Sequence, residues 1–81
     1  MTKELCALRP GEAARVARLE IAPGMRRRLL DLGFTEGTKV RCLFDAPGGD
    51  PKAYWVRGAI IALRREDAAR IVAGLADAPQ V

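Results

Sequence analysis

Four stretches of the chain carry apolar patterns that predict short β-strands, some by a period of two and others as short apolar runs. The stretches are residues 13–21, 39–44, 53–56 and 59–63, with a further short strand expected at residues 7–8. In the first stretch the apolar positions change parity between Val16 and Ala17, which requires a bulge or a switch of face. The last stretch is apolar at every position, so we expect it to lie in the centre of the sheet.

Two of these strands carry patterns that orient their side chains. Val40, Cys42 and Phe44 alternate along the second strand and should share its buried face. In the third strand, Tyr54 and Trp55 must point to opposite faces, because successive strand residues alternate. An inward Trp55 is the expected core arrangement, whereas an outward Trp55 would be a candidate contact residue, and both orientations stay open.

A period near 3.6 residues replaces the alternation at two places, where it predicts helices. Residues 25–32 carry apolar side chains at positions i, i+4 and i+7 of one face. Gly33 follows as a natural left-handed cap, and Phe34 can then pack on Leu29 to close a Schellman-type ending. Residues 66–73 predict a second helix, whose acidic first turn suits the helix dipole.

The order strand, helix, three strands and helix predicts a mainly β fold with two short helices. Four or five short antiparallel strands that curl to remove their edges form a small SH3-like or OB-like barrel. We expect residues 1–75 to form this single domain and residues 76–81 to be a frayed C-terminal tail. The expected core contains Leu29, Leu30, Leu32, Val40, Val56, Ile61 and Leu63.

Length and cysteine content narrow the class of protein. A chain of 81 residues suits one domain with a modest core, and its two cysteines are too few for a disulfide scaffold. No apolar run is long enough to span a bilayer, and the N-terminus lacks the apolar region of a signal peptide. These features predict a reduced, cytoplasmic protein in which Cys42 is buried, while the position of Cys6 leaves its burial open.

The net charge of +4 is centred on three consecutive arginines in the first predicted helix. Arg26 and Arg27 can face a partner, whereas Arg28 is placed to pair with Asp31 three residues later. Arginine binds carboxylates through two parallel hydrogen bonds, so this segment suits an acidic protein surface. A solvated helix face that binds nothing is the alternative interpretation.

Several kinds of chemistry have no candidate residues. The sequence contains no histidine, no serine and no phosphate-binding glycine motif, so we do not expect an enzyme. Its thiols and carboxylates form no ligand motif, so we expect no intrinsic cofactor; metal-binding residues are unknown, and a weak or interface-assembled divalent metal site stays open. A nucleic-acid-binding barrel is the alternative function, because the chain is basic and exposes either Tyr54 or Trp55.

Three segments, in order, resemble the ferrous iron transport protein A (FeoA) family. They are the entry pattern of residues 5–16, the run GMRRRLLDLGFTEGTKV within residues 24–41, and the run APGGDPKAYWVRGAIIALRREDAARI within residues 45–72. The corresponding family features are an arginine- and leucine-rich helix ending in glycine, a Gly-Asp-Pro loop, and a Val-Arg-Gly turn before a strand that leads into an acidic helix.

This resemblance implies an SH3-like fold in the cytoplasm and a role as an accessory protein. The implied partner is ferrous iron transport protein B, a membrane permease with a cytoplasmic GTPase domain. The protein would then meet the membrane only through that partner, and no nucleic acid is expected. We expect the partner-binding residues to be Arg26, Arg27, Leu30, Phe34 and Trp55.

Overall fold

The computed structural model describes residues 2–75, which form one six-stranded antiparallel sheet with two helices. The strands are β1 (Thr2–Glu4), β2 (Ala13–Leu19), β3 (Lys39–Asp45), β4 (Lys52–Val56), β5 (Ala59–Leu63) and β6 (Ile71–Leu75). The helices are α1 (Pro23–Leu32) and α2 (Arg65–Ala68), and short 3-10 turns span Leu5–Ala7 and Pro47–Gly49. The order across the sheet is β1-β6-β2-β3-β4-β5, so the expected mainly β fold with two short helices is confirmed.

The sheet curls around one apolar core but is not closed by a strand pair, since β1 and β5 do not pair within residues 2–75. Lys52 joins the two sides instead. Its Nζ donates hydrogen bonds to the carbonyl oxygens of Cys6 at 2.9 Å and Leu8 at 2.6 Å. Because these carbonyls follow β1 and Lys52 begins β4, the contact holds the curled sheet in a barrel-like form.

Helix α1 begins and ends as the sequence predicts. Pro23 occupies the first turn, where its missing N–H costs nothing. At the other end, the N–H of Gly33 donates to the carbonyl of Leu30, and the N–H of Phe34 donates to the carbonyl of Leu29, both at 3.0 Å. These two bonds form the Schellman motif, and both Leu29 and Phe34 are fully buried.

The predicted second helix over residues 66–73 is wrong. Helix α2 ends at Ala68, and the chain continues after a short turn as β6. Ile71 and Ala73 are buried and lie two residues apart, and this spacing also places both side chains on one face of a β-strand. Strand β6 lies between β1 and β2, so its backbone groups form hydrogen bonds on both sides. These hydrogen bonds outweigh the local helix preference of a short apolar segment.

Two further strand predictions are wrong. Strand β5 lies at the edge of the sheet rather than in its centre, and Ile60 is 65% exposed. An apolar run indicates that a segment forms a strand of the sheet, but the number of strands that pair with it depends on the topology of the whole sheet. Residues 7–8 form no strand, because the chain bends there at the end of a 3-10 turn; the strand that precedes this turn is β1.

A bulge changes the orientation of the side chains at the end of β3. Val40 and Cys42 are buried as predicted, but Phe44 is 56% exposed, so its predicted place on the same face is wrong. The pairing of β3 with β4 shifts between Cys42 and Phe44, which moves the later residues to the opposite face. The bulge predicted in β2 is confirmed by the register shift between Val16 and Arg18, although the strand ends at Leu19.

The expected core is confirmed at four positions and revised at three. The confirmed residues are Leu29, Val40, Val56 and Leu63. Leu30 and Leu32 are instead exposed by 36% and 41%, because α1 lies on the surface and buries only one narrow stripe. Ile61 is half-buried against the core. The predicted frayed tail at residues 76–81 lies outside the described residues.

Candidate partner-binding surfaces

The exposed side of α1 carries the three consecutive arginines. Arg26, Arg27 and Arg28 are all exposed, while Leu29 anchors the helix in the core. Within residues 2–75 no ion pair or side-chain hydrogen bond holds these guanidinium groups, and the expected pair between Arg28 and Asp31 does not form. We call the surface formed by Arg26, Arg27 and Leu30 the basic face.

Arg26 and Leu30 lie one helical turn apart and border a groove of about 240 Å³ between α1 and β2. The residues that line this groove are Val16, Ala17, Arg18, Leu19, Arg26, Leu30, Phe34 and Glu36. Phe34 forms part of its floor but is 0% exposed, so its predicted role as a direct contact residue is not supported. Its burial at the Schellman motif makes Phe34 a residue that positions the end of α1.

Trp55 points outward and lies on a different surface from the basic face. Its neighbour Tyr54 is buried in the core, and Trp55 is 42% exposed. The side chain of Val56, which points to the face opposite Trp55, lies against the C-terminal end of α1 near Gly33. The five residues predicted as one partner-binding set are therefore divided between two faces of the molecule, with Phe34 below the surface.

Beside Trp55, the outer face of β3, β4 and β5 contains two exposed apolar side chains, Phe44 and Ile60, that the sequence reasoning missed. Trp55 pairs with Arg41 on one side and with Ile60 on the other. Phe44 lies on the same face in the next row, opposite Ala53. The bulge in β3 exposes Phe44, and the edge position of β5 exposes Ile60; neither feature has a clear signal in the apolar pattern.

A groove of about 330 Å³ on this outer face combines apolar side chains with two cations. It is lined by Lys39, Arg41, Leu43 and Trp55. Arg41 is fixed there by a hydrogen bond from its Nη1 to the carbonyl oxygen of Gly11 at 2.9 Å. The outer face can therefore bind flat apolar or aromatic groups that carry negative charge.

The buried polar groups offer no reactive nucleophile. Burial raises the pKa of the Cys6 thiol and of the Cys42 thiol above the ordinary value of 9.0, and both cysteines are buried and free. Burial also raises the pKa of Tyr54, whose hydroxyl has no hydrogen-bond partner among residues 2–75. Thiols that stay protonated are weak nucleophiles, so these side chains act as core residues.

The described part of the chain shows neither a metal-ligand cluster nor a membrane span. No three His, Cys, Asp or Glu side chains in residues 2–75 come together to hold a metal ion. None of the helices in that range is long and apolar enough to cross a bilayer.

The comparisons with known proteins identify the family. The FeoA domain model matches residues 3–73. The "Fe(2+) transport protein A/Fe(2+) transporter FeoB fusion protein" of Porphyromonas gingivalis is 37% identical over 67 residues, which are 83% of this chain. The chain spans only 8% of the length of that curated relative.

Several solved structures are similar to this chain in sequence and in fold. The FeoA protein of Chlorobium tepidum is 34% identical, with a TM-score of 0.87 over 95% of this chain and 73% of the other. Stenotrophomonas maltophilia FeoA, solved in complex with zinc and described as an SH3 domain protein, is 35% identical, with a TM-score of 0.77 over 90% and 88% of the two chains. A manganese-dependent transcriptional repressor, 22% identical with a TM-score of 0.82 over 93% of this chain and 42% of its own, shows the fold alone. The chain therefore belongs to the FeoA domain family, has its SH3-like fold, and is linked by that family to ferrous iron transport.

Proposed function

We propose that this protein is a small cytoplasmic adaptor that binds the membrane ferrous iron permease and regulates it without catalysing a reaction. The observation that carries the proposal is the fusion protein of P. gingivalis, in which a segment similar to this chain belongs to the same polypeptide as FeoB. Covalent linkage holds two parts at a high effective concentration, which is useful when the separate parts act by binding each other. We infer the same association with the permease for this chain.

The basic face supports contact with an acidic surface of the permease's cytoplasmic GTPase domain. Arg26 and Arg27 are exposed and have no internal carboxylate partner in residues 2–75, so their hydrogen-bonding capacity is available to another protein. Leu30 adds an exposed apolar side chain one turn from Arg26. An apolar contact surrounded by arginines that bind carboxylates is a composition typical of protein interfaces.

A metal ion would act only as a weak or interface-assembled component of this binding. The zinc complex of the S. maltophilia relative supports divalent metal binding within the family. In this chain the described residues bring no three ligands together, so further ligands would have to come from the partner or from water.

A second candidate function is binding of single-stranded nucleic acid at the outer face. Trp55 is exposed and lines one groove with Lys39 and Arg41, and an aromatic ring beside cations can stack on a base while the cations meet phosphates. Such binding should weaken steeply as the salt concentration rises.

A calorimetric titration distinguishes the two functions. The protein is titrated into the purified GTPase domain of its cognate permease and, separately, into single-stranded DNA at two salt concentrations. Saturable binding to the GTPase domain supports the adaptor function. Absence of that binding, together with salt-sensitive binding to DNA, would contradict it and support the second candidate.

A further inference from the structure

Strand β5 lies at one edge of the sheet, where no strand among residues 2–75 pairs with its outer side. We propose that it binds an extended apolar segment of a partner protein, with acidic residues at the ends of that segment, as an added β-strand. The proposal concerns the mode of recognition and holds for whichever protein supplies the segment.

The turn before β5 shows which backbone groups of this strand are free. Arg57 and Gly58 form a two-residue turn with positive φ angles of 49° and 86°. Two positive φ angles are typical of the type I′ hairpin, in which the residues flanking the turn form a hydrogen-bonded pair. Val56 and Ala59 are the flanking residues and are directly paired.

Hydrogen-bonded and non-hydrogen-bonded pairs alternate along an antiparallel ladder. The backbone groups of Ala59 therefore point toward β4, and those of the following residue, Ile60, point away from β4. The pairing of β4 with β5 has no register shift, and the alternation therefore continues along the strand. The N–H and C=O groups of Ile60 and Ala62 point away from β4. No strand among residues 2–75 pairs with this side of β5.

This edge lacks the protection that natural sheets usually have. Edge strands commonly carry charges, proline or a bulge that prevents another chain from pairing with them. Strand β5 reads AIIAL and contains none of these features. Ile60 is 65% exposed and Ala62 is also exposed, so a partner can reach the edge.

Both sides of an added strand would meet apolar surface. On one side, a cavity of about 220 Å³ separates α1 from β5, and it is lined by Met25, Arg28, Leu29, Leu32, Ala62, Leu63, Arg64 and Asp67. Alternate side chains of the added strand would enter this cavity and cover Leu32, which is 41% exposed. The other side chains would extend the outer face beyond Ile60 and Trp55.

The charges around the edge favour acidic residues in the added segment. Arg28 and Arg64 line the cavity near the C-terminal end of β5, against a single carboxylate, Asp67. Arg57 lies at the opposite end, where a Cβ on Gly33 would come within 2.9 Å of its Cδ. An apolar segment with a carboxylate at each end would therefore meet arginine at both ends of β5.

The same charges argue against a second copy of this chain as the occupant. A two-fold axis through Ile61 would pair Ile60 of one β5 with Ala62 of the other. That register brings Arg57 of each copy, in the turn before β5, to the end of β5 in the other copy, where Arg64 follows the strand. Like charges brought together repel each other, so a partner that carries carboxylates fits the edge better.

The test uses a synthetic peptide, EITVTVE, acetylated and amidated at its ends, and NMR spectra of the ¹⁵N-labelled full chain. The peptide should shift the amide signals of Ile60 and Ala62 and slow their hydrogen exchange at least tenfold. A peptide with the same side chains, N-methylated at alternate residues, has lost the amide donors on one edge. It should bind at least tenfold more weakly.

Two variants complete the test. Ala62→Pro removes an outward N–H without breaking a bond to β4, and it should weaken peptide binding at least tenfold. Ala22→Pro is the matched control, since Ala22 is exposed and its φ of −56° suits proline. This variant should bind the peptide like the parent.

Three results would overturn the proposal. They are no binding at millimolar peptide, equal binding of the N-methylated peptide, and amide shifts confined to the basic face or to Trp55. The peptide experiment tests the β5 edge alone, so neither its success nor its failure changes the result expected from the titration with the GTPase domain.

Discussion

At the scale of single residues, neighbouring leucines in α1 lie in different environments. Leu29 is fully buried and closes the Schellman motif with Phe34, whereas Leu30 is 36% exposed beside Arg26. The residue type is the same in each case, so burial alone distinguishes a residue that maintains the fold from one that is available to a partner. Substitutions at the two positions can separate folding from binding.

Leu29→Ala should lower the free energy of unfolding by about 2–4 kcal/mol, because it leaves a cavity in a closely packed core. Urea unfolding monitored by circular dichroism measures this change. Leu30→Ala is the matched control and should cost less than about 1 kcal/mol, since its side chain is partly exposed. Equal losses for the two variants would show that the assignment of buried and exposed leucines is wrong.

At the scale of elements, the sequence predicts α1, its glycine ending, β3 and the β4–β5 hairpin, because each has a local pattern of its own. The local pattern of residues 66–73 predicts a helix where β6 begins, since the positions of Ile71 and Ala73 become informative only when β1 and β2 are in place. The exposure of Phe44 depends on a bulge, and that of Ile60 on a strand order that no local pattern specifies. Of the predicted contact residues, Arg26, Arg27, Leu30 and Trp55 lie on the surface, but tertiary structure places them on two faces.

Gly33→Ala should destabilise the end of α1. Gly33 has a φ of +111°, which L-residues rarely adopt, and a new Cβ would lie 2.9 Å from Arg57 Cδ and 3.2 Å from Val56 Cγ1. We expect a loss of about 1–3 kcal/mol in the free energy of unfolding. Gly24→Ala, in the first turn of α1 with no atom within 4 Å of the new Cβ, should be neutral or stabilising by up to about 1 kcal/mol. A smaller loss at Gly33 than at Gly24 would contradict the structure of this helix ending.

At the scale of the whole molecule, a core with several neutral acids makes stability depend on pH. Burial raises the pKa of Cys6, Cys42 and Tyr54 in the folded state above their ordinary values of 9.0 for cysteine and 10.0 for tyrosine. The folded state therefore holds these protons more tightly than the unfolded state. Their contribution to stability is complete below the ordinary cysteine value and is lost as the pH rises above it.

We expect the free energy of unfolding to fall as the pH rises above about 9, because the thiols and the phenol then ionise more readily in the unfolded state than in the folded state. Urea unfolding at a series of pH values between 7 and 11 measures this decrease. A double variant, Cys6→Ala with Cys42→Ala, should show a shallower decrease. A free energy of unfolding that rises over this range would contradict the burial of these groups.

The central claim for the whole molecule is that the basic face binds the permease. The most direct measurement is a calorimetric titration of the GTPase domain with the parent protein, with Arg26→Ala/Arg27→Ala, and with Arg9→Ala/Arg65→Ala, which removes the same charge from exposed positions elsewhere. Hydrogen bonds to charged groups contribute about 1.5–3 kcal/mol each, so the basic-face variant should bind at least about tenfold more weakly. The control should bind within about threefold of the parent, and circular dichroism should show that both variants are folded. Equal binding by the parent and the basic-face variant, or equal losses for the two double variants, would contradict the claim.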